Sequence, residues 1–349
     1  MAVAEPHAPR AYSPPERPPI ELWLALALFS LISIAASPDV LIALGPLRES
    51  LTSSVDITRV MAERTVLAAR IVFAGVAIAL AIIIFRWRAI SEGRLLSTLA
   101  AYREPFIEQT VVARISRRSM YLAIAGVVAS IMYIALVAPG LSPATRIFIG
   151  HEDGVVEQMT ALMFLVAGIL AFRVAFMSYA HPGQRSSTAF RSSVWHLLLG
   201  LFFIVCVGEE ISWGQRIFGF ETTAALREIN VQGEMNLHNS FGYLADHLFI
   251  LGTLAYGALL PLFARHYQFW RQLTGWLGLP LATTGLAVGF FVVSGMHDWT
   301  VYRILPNTAD VRAAEVRELL SAFCFVLLMA ESWVKIRAIM SNRPPGEQS

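Results

Sequence analysis

Ser192-Ser-Val-Trp-His-Leu-Leu-Leu-Gly-Leu-Phe-Phe-Ile-Val-Cys-Val-Gly-Glu-Glu-Ile-Ser-Trp-Gly-Gln-Arg216 is the stretch on which the reading of this chain turns. From Ser192 to Ile211 it is an apolar run of the length that spans hydrocarbon as a helix, about 20 residues. Two adjacent carboxylates, Glu209 and Glu210, fall in the last turn of that run. A charge at the bilayer centre costs about 2.5–3.5 kcal/mol on insertion scales, and less near the edge. A helix C-terminus disfavours carboxylates, and neighbouring carboxylates repel each other. A counter-charge, a metal ion or a proton must therefore hold the pair in place. The same twenty-five residues thus predict a transmembrane helix and point to a polar site at its end.

The rest of the chain has the same character. Its 349 residues are 56% hydrophobic and 15% charged, against about 45–50% apolar and about 25% charged in soluble domains. The expected fold is all-α, a polytopic transmembrane helical bundle of about eight spans: 20–37, 66–86, 119–138, 154–178, 192–213, 243–264, 276–296 and 314–338. Arg70 inside the second run weakens that span. Residues 1–19 hold six prolines and read as a disordered cytoplasmic tail. Residues 20–338 form the membrane domain, and 339–349 form a second tail. Ala35-Ala36-Ser37 imitates a signal-peptidase site, but the run before it is long for a signal segment and reads as an uncleaved span. Cys206 and Cys324 fall inside spans, so no disulfide framework is implied.

The connections set the orientation. The segment after the second span carries Arg86, Arg88, Arg94, Arg103, Arg114, Arg117 and Arg118. Arg185 and Arg191 follow the fourth span, Arg265 and Arg271 follow the sixth, and Lys335, Arg337 and Arg343 lie in or near the tail. With eight spans all of these fall on one side, which the positive-inside rule makes the cytoplasm. Both termini are then cytoplasmic, and the location is a bacterial inner membrane. Lysine occurs once, which reads as the genome composition of a GC-rich bacterium. Because the arginines are spread as membrane anchors and not in one stripe, no nucleic-acid partner is expected. The bilayer itself is the partner the sequence implies. Residues 90–116 alternate leucine, isoleucine and valine with arginine, the pattern of an amphipathic helix lying on the inner surface.

On that topology the polar motifs converge on the outer side. His151-Glu152-Asp153 precedes the fourth span, with Glu157 one turn in. Glu209 and Glu210 close the fifth, Asp246 and His247 open the sixth, and His297 and Asp298 close the seventh. The outer motif loop 209–242 adds Arg216 and His238. Some of these have local explanations. Glu152, Asp153 and Asp246 sit where carboxylates complement a helix dipole. Trp213, Trp299 and Tyr243 suit an interfacial aromatic belt. Glu331 stands four residues before Lys335, as in an i,i+4 ion pair. Arg216 is either a helix C-terminal cation or the neutraliser of one glutamate.

Glu209, Glu210, His238, Asp246, His247, His297 and Asp298 offer imidazole nitrogen and carboxylate oxygen, donor types that suit a divalent metal. No His-x-x-x-His spacing is present, so such a site would have to be assembled from separate helices. Without a metal, one glutamate would act as general base on water, with a histidine or Arg216 stabilising the developing negative charge. On this reading the catalytic candidates are Glu209, Glu210, His238, His247, His297 and Arg216, in a hydrolase or transferase acting on a lipid or lipid-linked substrate. The alternatives are a transporter using the same carboxylates as ion sites, or a structural or assembly subunit. Transport would require ionisable groups across the span, for which only Glu331 and His196 are available.

The glutamate pair at a membrane-helix end, followed by an arginine and later histidines, resembles the CAAX-type intramembrane glutamate proteases. That resemblance implies catalytic roles for Glu209 and Glu210 alone. Five residues separate the pair from Arg216 where that family has three, and its histidine motifs find no match at the right spacing. The segments Gly208–Arg216 (GEEISWGQR) and Asn230–Asn239 (NVQGEMNLHN) together are similar to a family of uncharacterised bacterial multi-pass membrane proteins, a likeness that carries no activity with it.

Overall fold

The computed structural model describes residues 17–44, 51–52, 54, 56–91, 93, 98–99, 101–102, 105–150, 154–180, 187–224, 235–236, 243–296, 301 and 312–341. Among these every regular element is helical. Six stretches are long and apolar enough to cross a membrane: Ala62–Phe85, Gln109–Gly140, Pro143–Ala180, Ser187–Glu210, Asp246–His266 and Ala313–Ser341. The two remaining apolar helices, Ile20–Ala35 and Thr284–Ser294, are shorter. Large apolar side chains such as Ile71, Ile78, Ile82, Leu162, Ile169, Leu198 and Leu201 are exposed along these helices. A soluble monomer does not show apolar surface on this scale; a multi-pass membrane protein covers it with lipid.

The chain divides into two compact units, Met1–Arg103 and Glu104–Ser349. In the first, α1 (Ile20–Ala35) ends ahead of Pro38, which opens the short α2 (Pro38–Leu44). Helix α3 (Asp56–Phe85) pairs antiparallel with α1, and α4 (Trp87–Ser91) follows. Phe29 stacks on Phe73 at 5.8 Å. Arg70 donates from Nε to the Ser33 carbonyl at 3.1 Å, and Ser33 Oγ donates to the Arg70 carbonyl at 3.2 Å. The arginine that weakens the sequence-based span is thus held by the neighbouring helix, which is how an intramembrane cation is tolerated.

The second unit holds α5 (Gln109–Met132), α6 (Pro143–Gly150), α7 (Val155–Ala180), α8 (Ser187–Glu210), α9 (Gln215–Phe218), α10 (Tyr243–Gly252), α11 (Leu260–His266), α12 (Gln268–Leu277), α13 (Thr284–Ser294) and α14 (Ala313–Ser341). A π-helical stretch, Thr253–Leu259, joins α10 to α11, and another, Tyr133–Val137, extends α5. Helix α5 starts ten residues before the expected span, so 109–116 of the predicted surface segment already belong to it; most of 92–104 lies outside the described residues. Helix α14 is the axis. It packs on α5, α7 and α13, and more than half of its most apolar stretch is buried. Phe325 on α14 gathers an aromatic layer: Phe203 of α8 and Phe290 of α13 each lie 5.2 Å away, Phe164 of α7 lies 6.5 Å away, and Phe249 of α10 meets Phe164 edge-on at 6.2 Å.

The expected span at 276–296 is broken. Gly278 takes φ +72° and ends α12, and a Cβ at this position would stand 2.6 Å from the Ser192 amide nitrogen. Pro280 follows, and the chain has no regular structure until α13 begins after extended Thr283. At about 1.5 Å per residue, the eleven residues of α13 cover only about half of a 30 Å core. Non-helical backbone at membrane depth needs internal partners, and side chains supply them. Tyr256 Oη donates to the Pro280 carbonyl at 2.6 Å, Lys335 Nζ donates to the Leu281 carbonyl at 2.8 Å, and Glu331 accepts from Thr283 N at 2.8 Å and Thr283 Oγ1 at 2.6 Å. Glu331 and Lys335 do form the expected ion pair, at 3.7 Å, but their larger task is to cap the start of α13.

These bonds also align the ends of the unit. Ser116 near the start of α5 accepts from Gly285 N at 2.9 Å, Arg173 near the end of α7 lies over Trp333 at 4.4 Å, Arg191 near the start of α8 lies over Trp276 at 4.4 Å, and Arg265 donates to Thr284 at 2.5 Å. Arg114, Arg117, Arg118, Arg173, Arg191, Arg265, Arg271, Lys335 and Arg337 therefore share one end. The starts of α7, α10 and α14 and the end of α8 make the other.

Candidate functional site

That other end carries the carboxylates. Glu157 stands in the first turn of α7, Glu209 and Glu210 in the last turn of α8, Asp246 in the first turn of α10, and Glu315 and Glu318 in the first turns of α14. Each lies one to three helical turns from a phenylalanine of the aromatic layer on its own helix, which puts the acids above an apolar floor. Glu210 faces four other carboxylates, those of Glu318, Glu157, Glu315 and Glu209.

A buried arginine lies at this end. The Arg317 side chain is 1% exposed, and its Nη2 pairs with Asp246 of α10 and, at 3.3 Å, with Glu318. Its Nε and Nη1 have no hydrogen-bond partner. A buried guanidinium with two unused donors is rare, because each unmade bond costs the desolvation of that group. Arg312 pairs with Glu315 at 3.8 Å, nearer the surface.

The chain leaves α8 by a strained route. Ser212, Trp213 and Gly214 take φ of 46°, 52° and 79°, three successive residues in the left-handed region. For Ser212 and Trp213 that conformation is unfavourable, by about 1–3 kcal/mol each, and it persists only where the surroundings enforce it. The enforcement is visible. The Trp213 ring folds back over Gly208, where any Cβ would stand 2.9 Å from it, and Trp213 Nε1 donates to Glu209 Oε1 at 2.8 Å. Buried Ser212 accepts from Asn236 Nδ2 at 3.4 Å, and Gln215 Oε1 accepts from Met235 N at 2.8 Å. Gln215 Nε2 also donates to Thr222 at 2.9 Å. The two sequence segments noted above, 208–216 and 230–239, therefore touch through Ser212, Gln215, Met235 and Asn236.

Of the candidates read from sequence, Glu209, Glu210, Asp246 and His247 are described, and all stand at this end. Asp246 joins Arg317, and half-buried His247 follows it on α10. His238, His297 and Asp298, and likewise His151, Glu152 and Asp153, lie outside the described residues, as does the Arg216 side chain. Helix α8 stops at Glu210, and the Glu209–Trp213 contact is made through the left-handed turn. Among the described residues no group of three or more His, Cys, Asp or Glu is placed to hold a metal ion.

Sequence reasoning missed Arg317, Glu315 and Glu318. The signal was present in Arg312-Ala-Ala-Glu-Val-Arg-Glu318. A cation near the start of an apolar helix opposes the helix dipole as plainly as acids at the end of another. In the fold that cation is held by Asp246 of α10 and by Glu318. No known protein family, curated protein or solved structure matches this chain.

Proposed function

We propose that this chain is a multi-pass protein of a bacterial inner membrane whose carboxylate end opens away from the cytoplasm and hydrolyses or transfers a lipid or lipid-linked substrate. The single observation that carries the reading is Arg317, buried among carboxylates with two donors unused. A fixed cation of this kind suits an anionic group or a developing negative charge. Arg317 takes the clamp role first considered for Arg216. Glu209 or Glu210 acts as general base, and His238, His247 and His297 remain as acid or base candidates.

In the proposed step a glutamate accepts a proton from water, or from the hydroxyl of an acceptor, as that oxygen attacks the ester centre. The bond from that centre to the leaving oxygen breaks, and the leaving oxygen takes up the proton. The products are the free alcohol and the hydrolysed or transferred group.

Orientation rests on the gathering of arginines at the Glu331 end, which the positive-inside rule assigns to the cytoplasm. Eight crossings with both termini inside fit this arrangement. The first would be α1, antiparallel to α3, and the seventh the passage between Thr283, bonded at the arginine end, and the start of α14 at the other. The aromatic layer around Phe325 weighs against a transporter, since it interposes apolar rings between the two polar ends.

The test is the cellular lipid and glycolipid profile, by mass spectrometry, of cells carrying Glu209→Gln or Glu210→Gln at matched protein levels. At least one variant is expected to accumulate a substrate and lose a product. Unchanged profiles in both would remove the enzymatic reading.

A further inference from the structure

Three guanidinia at the arginine end lie over tryptophan rings, and they are of two kinds. Arg191 lies 4.4 Å from the centre of the Trp276 ring, and its donors are used within the fold: Nε donates to the Trp276 carbonyl, and Nη2 donates to Thr188 Oγ1 at 3.1 Å. Arg173 of α7 and Arg337 of α14 instead share one ring. They lie 4.4 Å and 5.9 Å from the centre of Trp333. Both are exposed, and among the described residues neither makes a hydrogen bond or an ion pair. A guanidinium lying over a ring keeps its N–H donors, which point along its own plane, open to another group. The half-buried indole therefore gathers two cations from two helices within 5.9 Å of one point. Attraction to the ring offsets part of their repulsion, and an anion between them would remove the rest.

The level of the pair in the membrane names the anion. At about 1.5 Å per residue α7 and α14 are each about 40 Å long, so they overhang a hydrocarbon core of about 30 Å by about one turn at each end. Arg337 stands one turn from the end of α14 and Arg173 two turns from the end of α7, at the boundary of headgroups and hydrocarbon. Toward the interior, exposed Ile169, Leu165 and Leu162 continue the stripe of Arg173 at helical spacing. We infer that Arg173, Arg337 and Trp333 form a binding site for an anionic phospholipid, with phosphate oxygens bridging the two guanidinia and an acyl chain along Ile169, Leu165 and Leu162. Arginine meets phosphate through parallel N–H donors, and basic pockets between transmembrane helices take acidic headgroups. The apolar stripe below the cations favours a lipid over a soluble phosphate ester. This site lies at the end opposite the carboxylates and does not depend on the chemistry proposed there.

The full chain, purified in mild detergent, is titrated with phosphatidylglycerol or phosphatidylcholine of matched acyl chains, and bound lipid is counted by native mass spectrometry. The first phosphatidylglycerol is expected to bind about tenfold more tightly than phosphatidylcholine, whose own ammonium the two arginines repel. Arg173→Gln combined with Arg337→Gln is expected to cut that preference to about twofold or less. Arg114→Gln combined with Arg117→Gln removes the same charge from exposed positions on α5 and is expected to leave the preference intact. Equal binding of the two lipids by the wild-type protein overturns the inference, and needs no variant to fold. An equal loss of preference in both double variants also overturns it, because diffuse surface charge would then suffice. Phosphatidylglycerol is further expected to raise the thermal midpoint of the wild-type protein, since a ligand of the folded state stabilises it. An equal rise with soluble glycerol phosphate would assign the pair to a free phosphate ester and overturn the lipid.

Discussion

The two polar ends of the 104–349 unit hold their buried charges on opposite terms. At the arginine end Glu331, 2% exposed, has a bond for each carboxylate oxygen, and Lys335 pairs with it while also holding the Leu281 carbonyl. The bonds to Leu281 and Thr283 close gaps left by the broken helix between Gly278 and Thr284. At the carboxylate end the acids crowd one another and the arginine is left with donors to spare. Both ends contain buried ions, so burial alone does not separate structure from function. Completeness of partnering does. A charge whose bonds are all made within the fold is a structural part; Arg317, with Nε and Nη1 unbonded, is the group on which the proposed function rests.

The comparison is broken most severely by removing Glu331. Glu331→Ala takes the cap from α13 and strands Lys335, and breaking a buried pair costs about 3–5 kcal/mol. Thermal unfolding in detergent is expected to fall accordingly. Little loss would mean that the broken helix does not depend on its cap.

Gly208→Val is expected to cost about 1–3 kcal/mol as an overpacked contact with the Trp213 ring. It should also displace the Glu209 carboxylate, so that lipid turnover in cells falls further than stability does. Equal losses would reduce the left-handed turn to a packing feature.

Trp213→Phe removes the hydrogen bond to Glu209 and trims the ring that lies over Gly208, on a side chain that is 46% exposed. The expected cost is about 0.5–1.5 kcal/mol in unfolding measurements, the smallest of the set.

Much of this was legible before the fold was known. Composition and run length predict a helical membrane protein, and six of the expected spans have matching helices. The dipole argument singles out Glu209 and Glu210, and the fold sets Glu210 near four other carboxylates. Two things stayed hidden for physical reasons. The break at 278–283 was masked because Leu279, Leu281 and Ala282 keep the run apolar, although Gly278 and Pro280 mark the turn. The acids of α14 near Glu210 were hidden because they arrive from more than a hundred residues away, and a one-dimensional reading groups acids with histidines by predicted side alone. Arg317 lies at the start of the expected 314–338 span, and only the fold brings it to Asp246 of α10.

The most direct test sets Glu210→Gln beside Glu331→Gln and measures the thermal midpoint of each in one detergent. If the carboxylate end is held out of balance for function, Glu210→Gln leaves stability equal to wild type or raises it by about 0.5–2 kcal/mol, while Glu331→Gln lowers the midpoint by several degrees. A fall for Glu210→Gln as large as that for Glu331→Gln would contradict the account, because Glu210 would then be as fully used by the fold as the cap of α13.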